Sequence, residues 1–231
     1  MSPAPRPPLP KPVRFYGYWR SSTAYRVRIA LALKGMDEVQ HVSVNLLAGE
    51  HKGSEHRERQ PQGLVPAIEL DNGQYIGQSL AILDYLDALT PDDMPPLTPK
   101  DPYDALLVRE MAHVIALDVH PVNNLRLLNW LKSEAGCGGE QVTQWMHQWM
   151  RDGFDALDKI IARSPVADIG DWCFGGGPTL ADVCLVPQAY NAERFNLSLE
   201  EWPRLQRIVQ NARAHPAFQA AHPDNQPDAT A

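Results

Sequence analysis

The 231-residue chain carries 21 Lys and Arg against 28 Asp and Glu, a formal charge of -7, with 44% hydrophobic and 21% charged residues. That profile fits a soluble globular protein long enough to bury one large core or two small ones, and it excludes a disordered chain. The acidic balance argues against general affinity for nucleic acid or an anionic membrane, so an anionic ligand must be met by a local group of Arg or Lys.

The first residues, MSPAPRPPLPKP, lack the continuous apolar region of a signal peptide and read as a flexible proline-rich arm over 1–11. VRFYGY then has strand composition. Arg26 to Lys34 is helix-like, with Val27, Ala30 and Leu31 on one face. VQHVSVNL reads as a second strand, and AIELDNGQYI as a hairpin turning at Asn72-Gly73. Ser79 opens the apolar-periodic helix SLAILDYLDAL. The order β-α-β, then β-β-α, predicts a small α/β domain with a mixed sheet over 12–89.

The stretch from Thr90 to Pro102 holds five prolines, which can neither continue a helix nor serve an interior strand, and it reads as a linker. A second, all-helical domain is expected over 103–222. Tyr103 to Leu117 repeats apolar residues at helical spacing, and Val142, Trp145, Met146, Trp149, Met150, Leu157, Ile160 and Ile161 mark a longer helix whose Met and Trp stripe reads as core. Thr179-Leu180-Ala181-Asp182 is a capping box that starts a helix near Leu180. The residues after Ala221, HPDNQPDATA, read as a frayed tail, with 223–231 flexible. The three cysteines, Cys137, Cys173 and Cys184, are widely spaced and form no Cys-x-x-Cys pair, which favours reduced thiols in a cytosol over a disulfide framework or a zinc site.

Ser21, Ser22 and Thr23 sit where a strand gives way to a helix. One of them can cap the helix, and a hydroxyl there can also donate to a bound thiolate beside the positive end of the dipole. Val65-Pro66 precedes a strand that proline cannot continue, and Gln78-Ser79 opens another helix whose free N–H groups would suit a carboxylate. Together these suggest a site for an anionic, peptide-like ligand.

RSSTAYRVRIALALKG resembles the Ser-Ser-Cys-x-(Trp/His)-Arg-Val-Arg-Ile-Ala-Leu signature of zeta-class glutathione transferases, the maleylacetoacetate isomerases. LVPAIE, GQSLAILDYLD, PTLADVCLVPQAYNAERFNL and QPDAT follow in the family's order, so the resemblance spans about Arg14 to Asp228. It implies a thioredoxin-like N-terminal domain that binds glutathione and an all-helical C-terminal domain that shapes the acceptor site. It further implies a cytoplasmic homodimer and no metal. By the family's pattern Pro66 is cis, Val65 pairs with the cysteinyl backbone of glutathione, Gln78 and Ser79 hold the γ-glutamyl carboxylate, and Ser21 assists the thiolate. Gln62 is placed with the glutathione residues.

Thr23 stands where most of the family has cysteine, which removes thiol-dependent mixed-disulfide chemistry, and Tyr25 replaces the usual Trp or His. This Thr, with DVHPVNNLRLLNWL, resembles the bacterial maleylpyruvate isomerases. By position Arg20, His120, Asn124, Arg126 and Arg194 match substrate residues of that branch, and His51 matches a histidine near the glycyl end of glutathione. A small dicarboxylate explains the arginines, whose forked guanidinium suits carboxylates. The expected reaction is conversion of maleylacetoacetate or maleylpyruvate to the fumaryl isomer. Conjugation of small α-halo acids, or a non-catalytic interaction module, are the alternatives.

Overall fold

The computed structural model describes residues 8–91 and 94–229. The described residues form two compact units, one holding the residues up to Met94 together with those from Ala221 onward, the other Pro95–Ala220. The division falls inside the proline-rich linker.

In the first unit, strand β1 (Pro12–Gly17) leads into helix α1 (Ser22–Leu33), then β2 (Gln40–Ser43), the short α2 (Ser54–Arg59), β3 (Ala67–Leu70), β4 (Tyr75–Gly77) and α3 (Ser79–Leu89). The sheet order is β2-β1-β3-β4, with β1 and β2 parallel and the other pairs antiparallel. The mixed sheet read from the sequence is thus present. The hairpin turns at Asn72-Gly73 as expected, with Gly73 at φ 82°, a conformation that costs glycine nothing. α1 begins four residues earlier than its apolar spacing suggests, because Ser21 caps it. Nearly all of α1 is buried, Arg26 and Arg28 included, as it packs on α3.

The tail does not fray. A 3-10 turn at Pro223–Asn225 folds it onto this unit, and Asp228 is hydrogen-bonded to both Trp19 and Ser43. Its polar, proline-containing composition looked like a loose end, but side chain to backbone bonds hold it. Residues 1–7 of the proline-rich arm lie outside the described residues.

The second unit runs through α4 (Pro102–His113), a π-helical segment (Val114–Val119), α5 (His120–Val122), α6 (Leu125–Ser133), α7 (Gly139–Ala162), α8 (Leu180–Arg194), α9 (Pro203–Ala214) and α10 (Pro216–Ala221), whose last residue, Ala221, already belongs to the first unit. The helix expected from Tyr103 to Leu117 therefore loosens into π geometry at Val114, a change that apolar spacing does not reveal. On α7 the buried stripe is Val142, Met146, Met150, Leu157 and Ile161, whereas Trp149 is 38% exposed and pairs edge-on with Trp145 at its rim. No helix of the described residues is long and apolar enough to cross a membrane.

Gly153 lets α7 approach the π segment. A Cβ there would sit 2.1 Å from Val119 Cγ2, and Val119 is buried. Gly153→Ala should therefore destabilise by about 1–2 kcal/mol, the overpacking cost outweighing a gain of about 1 kcal/mol in helix propensity. Urea unfolding of Gly153→Ala and of the double variant with Val119→Ala checks this, since the second change should restore most of the loss.

Candidate functional site

In the first unit the site is built around the start of α1. β1 ends at Gly17, a turn bond from Ser21 N to Tyr18 O (3.0 Å) reverses the chain, and Ser21 takes an extended conformation as N-cap, its Oγ accepting from Ala24 N at 3.3 Å. Ser21 Oγ also lies 3.0 Å from Thr23 Oγ1, and Thr23 Oγ1 lies 3.0 Å from Val65 O. A carbonyl only accepts, so Thr23 donates to Val65 and Ser21 donates to Thr23. The result is a hydroxyl relay that ends on the residue before Pro66, and the Val65–Pro66 peptide is cis. Ser22 is buried in the first turn of α1. Arg20 is half-buried, its guanidinium carbon 4.2 Å above the Trp19 ring.

The Val65 loop is held from behind by residues that no sequence motif singled out. His56 Nε2 donates to Leu64 O at 2.7 Å, Gln60 Oε1 accepts from Leu64 N at 3.1 Å, and Gln60 Nε2 donates to Gln62 Oε1 at 3.1 Å. Both His56 and Gln60 are buried. His56 lies on α2 and Gln60 is its C-cap with an extended backbone, so no helix face pairs the two and the sequence carries no local signal for them.

Gln62 Oε1 also accepts from Gln78 Nε2 at 2.6 Å, which joins the two glutamines expected at the ligand. Gln78 precedes α3 with φ 67° and makes no side-chain cap, so the first N–H groups of α3 are not met by it. Ser79 Oγ accepts from the buried Arg26 Nη1 at 3.3 Å, which leaves the Ser79 proton to give to a ligand. A helix start backed by a buried guanidinium fits a carboxylate group.

His51 stands on a 3-10 turn (Glu50–Lys52) with its Nδ1 buried and without a partner among the described residues. Burial pushes the imidazole pKa down, and the positive charges of Lys52 and Arg57 push it the same way. This histidine is therefore neutral at pH 7 in the free protein. These features, an anion-suited helix start, a hydroxyl relay and an unpartnered imidazole, fit glutathione.

In the second unit His120, Asn124 and Arg126 fall on one short stretch. His120 follows the π segment, Asn123 Nδ2 donates to Val119 O at 3.1 Å, and Trp145 Nε1 donates to Val122 O at 2.8 Å. Trp145 thus anchors this stretch as well as packing. Asn124 caps α6, its Oδ1 accepting from Arg126 N at 2.9 Å, so its amide N–H groups are what it can offer a ligand. Arg126 is exposed. Arg194 lies at the far end of α8, which packs on the π segment, and its guanidinium rests near the Tyr190 and Phe195 rings. Among the described residues no cluster of His, Cys, Asp or Glu could hold a metal ion.

Comparison with known proteins places this arrangement. Models of the glutathione S-transferase N-terminal and C-terminal domains match residues 20–89 and 144–211. The chain is 45% identical to maleylacetoacetate isomerase of Pseudomonas aeruginosa, over 95% of this chain and 100% of that protein. The holo structure of a maleylpyruvate isomerase, described as a bacterial glutathione S-transferase in the zeta class, superposes with a TM-score of 0.89 at 36% identity, covering 94% of this chain and 100% of that one. A maleylacetoacetate isomerase from Methylobacterium extorquens with bound malonate and glutathione gives 0.89 at 33% identity, covering 95% and 100%. With its four-stranded sheet unit and its helical unit in the glutathione transferase fold, the chain belongs to the zeta-class glutathione transferases, the family of the maleylacetoacetate and maleylpyruvate isomerases.

Proposed function

We propose that this protein is a glutathione-dependent cis-trans isomerase of maleylacetoacetate or maleylpyruvate, with a thioredoxin-like glutathione domain over 12–89 and an acceptor-site domain over 103–222. The observation that carries the reading is the Ser21–Thr23–Val65 hydroxyl relay at the start of α1, in a chain that matches isomerases over nearly its whole length. When bound, glutathione supplies a sulfur nucleophile that adds to the cis double bond, lets the new single bond rotate, and leaves unchanged with the trans product. Ser21 turns its proton from Thr23 to the sulfur and, with the α1 N-terminus, keeps it ionised. Thr23 and Val65 hold the cysteinyl backbone in register, and Ser79 with the α3 N-terminus takes the γ-glutamyl carboxylate. By the family resemblance, Arg20 in the first unit, and His120, Asn124, Arg126 and Arg194 in the second, are the residues that serve the substrate's carboxylates and the enolate that addition creates. The related isomerase structure with bound malonate and glutathione supports a dicarboxylate substrate. The three free thiols suit a cytoplasmic protein, and the family resemblance supports a homodimer.

The test is an ultraviolet assay with each maleyl substrate, with and without glutathione. Glutathione-dependent formation of the fumaryl isomer supports the reading, and no turnover despite glutathione binding would favour conjugation instead. In the same assay Arg126→Ala should lower kcat/KM roughly a hundredfold, while glutathione affinity stays within about twofold. An equal loss of both would remove Arg126 from the substrate's side.

His51 gives a pH signature. A glycyl carboxylate beside its ring would raise the depressed pKa, so the complex binds more protons than the free protein. Affinity should then strengthen as pH falls through the bound-state pKa and level off below the free-state one. Titration calorimetry with S-methylglutathione, which has no thiol to titrate, should show this slope and proton uptake, and His51→Gln should flatten it.

A further inference from the structure

The folded tail touches the catalytic turn at one residue. Trp19 sits between β1 and α1, immediately before Arg20 and Ser21, and outside any ladder or helix. Its buried backbone groups still need partners. Its N–H donates to Asp228 Oδ2 at 3.2 Å, and its carbonyl accepts from Arg28 Nη2 at 2.9 Å.

Each of those side chains is fixed in turn. Asp228 Oδ2 also accepts from Ser43 Oγ at 2.8 Å, tying the tail to β2. Arg28 is buried, and its Nε donates to Ala221 O at 3.0 Å, tying α1 to the residue where the tail begins. Gln226 closes the intervening turn through Nε2 to His222 O at 2.8 Å, and the His222 ring packs edge-on against Tyr25 at 6.0 Å. A carboxylate and a guanidinium therefore grip the two peptide groups flanking the Trp19 Cα, and both grips depend on residues 221–228. Fixing both peptide planes fixes the Trp19 dihedrals, and with them the point from which Arg20 and Ser21 depart.

We propose that Asp228 and Arg28 are positioning residues, a clamp on Trp19 through which the tail sets where the Ser21 hydroxyl and the Arg20 guanidinium stand. The inference rests on the reading of Ser21 as the thiolate's donor. It gives the QPDAT segment a task, and it explains two charged groups brought to one backbone residue, since charge-assisted bonds are the strong ones.

The test compares wild type with Asp228→Ala and Asp228→Asn, in which the amide oxygen can still accept from Trp19 N–H. Amide hydrogen exchange on the free protein should quicken about tenfold or more in the peptide spanning Tyr18–Thr23 of Asp228→Ala, with α7 and α9 unchanged. With glutathione bound, the thiol's apparent pKa, read from thiolate absorbance, should rise. Isomerase kcat should fall about tenfold at nearly constant KM for glutathione. Asp228→Asn should recover most of each change, which a tail acting only through net charge would not give. Wild-type exchange over Tyr18–Thr23 in Asp228→Ala would overturn the clamp, and so would acceleration spread evenly over the chain, which marks general loosening. If wild type isomerises neither substrate, the proposed function fails, while the exchange result, which needs no substrate, still decides the clamp.

Discussion

Ser21→Ala is expected to lower kcat for isomerisation by roughly a hundredfold or more, because the proposed function makes the Ser21 hydroxyl the donor to the glutathione sulfur. Glutathione affinity should change little, since the proposed function gives γ-glutamyl and glycyl recognition to Ser79 and His51. The same substitution deletes the N-cap that accepts from Ala24 N, so stability should fall by about 1 kcal/mol as well. The two effects separate in a measurement of the bound thiol's titration, which responds to the donor and not to stability. Ser22→Ala serves as the control, for Ser22 is buried in α1 and should give near wild-type kcat. Thr23→Val breaks the relay to Val65 and should fall between, about tenfold down. If Ser21→Ala keeps most of its activity while Thr23→Val does not, the roles of the two hydroxyls are reversed.

Patterns carried by neighbours in sequence were legible, and those carried by distant partners were not. Asn72-Gly73 announced its hairpin because turn geometry is a local matter. The resemblance gave the cis Val65–Pro66 bond, which local rules make rare. By contrast, nothing near Asp228 in the sequence points to Trp19 or Ser43, and a polar segment with two prolines has the composition of a loose end. His56 and Gln60 were invisible for a related reason. They are buried and bonded to Leu64, and a polar residue on or just after a short, charged helix reads as solvated. The π segment escaped because Val114, Ile115 and Val119 keep apolar spacing through the change of winding. Trp145 was read as core, and half of its work is a hydrogen bond to Val122 O that only the fold shows.

The largest loss of stability is expected from Asp182→Ala. Asp182 is fully buried and accepts three bonds, each of 2.8 Å, from Cys173 N, Thr179 N and Thr179 Oγ1. Burial pushes the carboxyl pKa up, and those donors pull it back. The residue closes the capping box of α8 and at the same time fastens the preceding loop to the helix start, so one side chain satisfies donors from two segments. Alanine leaves all three donors buried without a partner, at about 1–3 kcal/mol each before relaxation and relief of the charge's own desolvation. A net loss of about 3–5 kcal/mol follows, a large part of a typical domain's stability. Asp182→Asn should cost less, about 2 kcal/mol. Its single oxygen can face Thr179 and keep two of the bonds, while its NH2 then meets the Cys173 N–H and loses the third. Every tryptophan but Trp19 belongs to the second unit, so intrinsic fluorescence during urea unfolding reports on the unit that Asp182 anchors. The ordering wild type, then Asn, then Ala is the decisive result. Equal losses in Asn and Ala would mean that the negative charge, and not the count of satisfied donors, holds the start of α8.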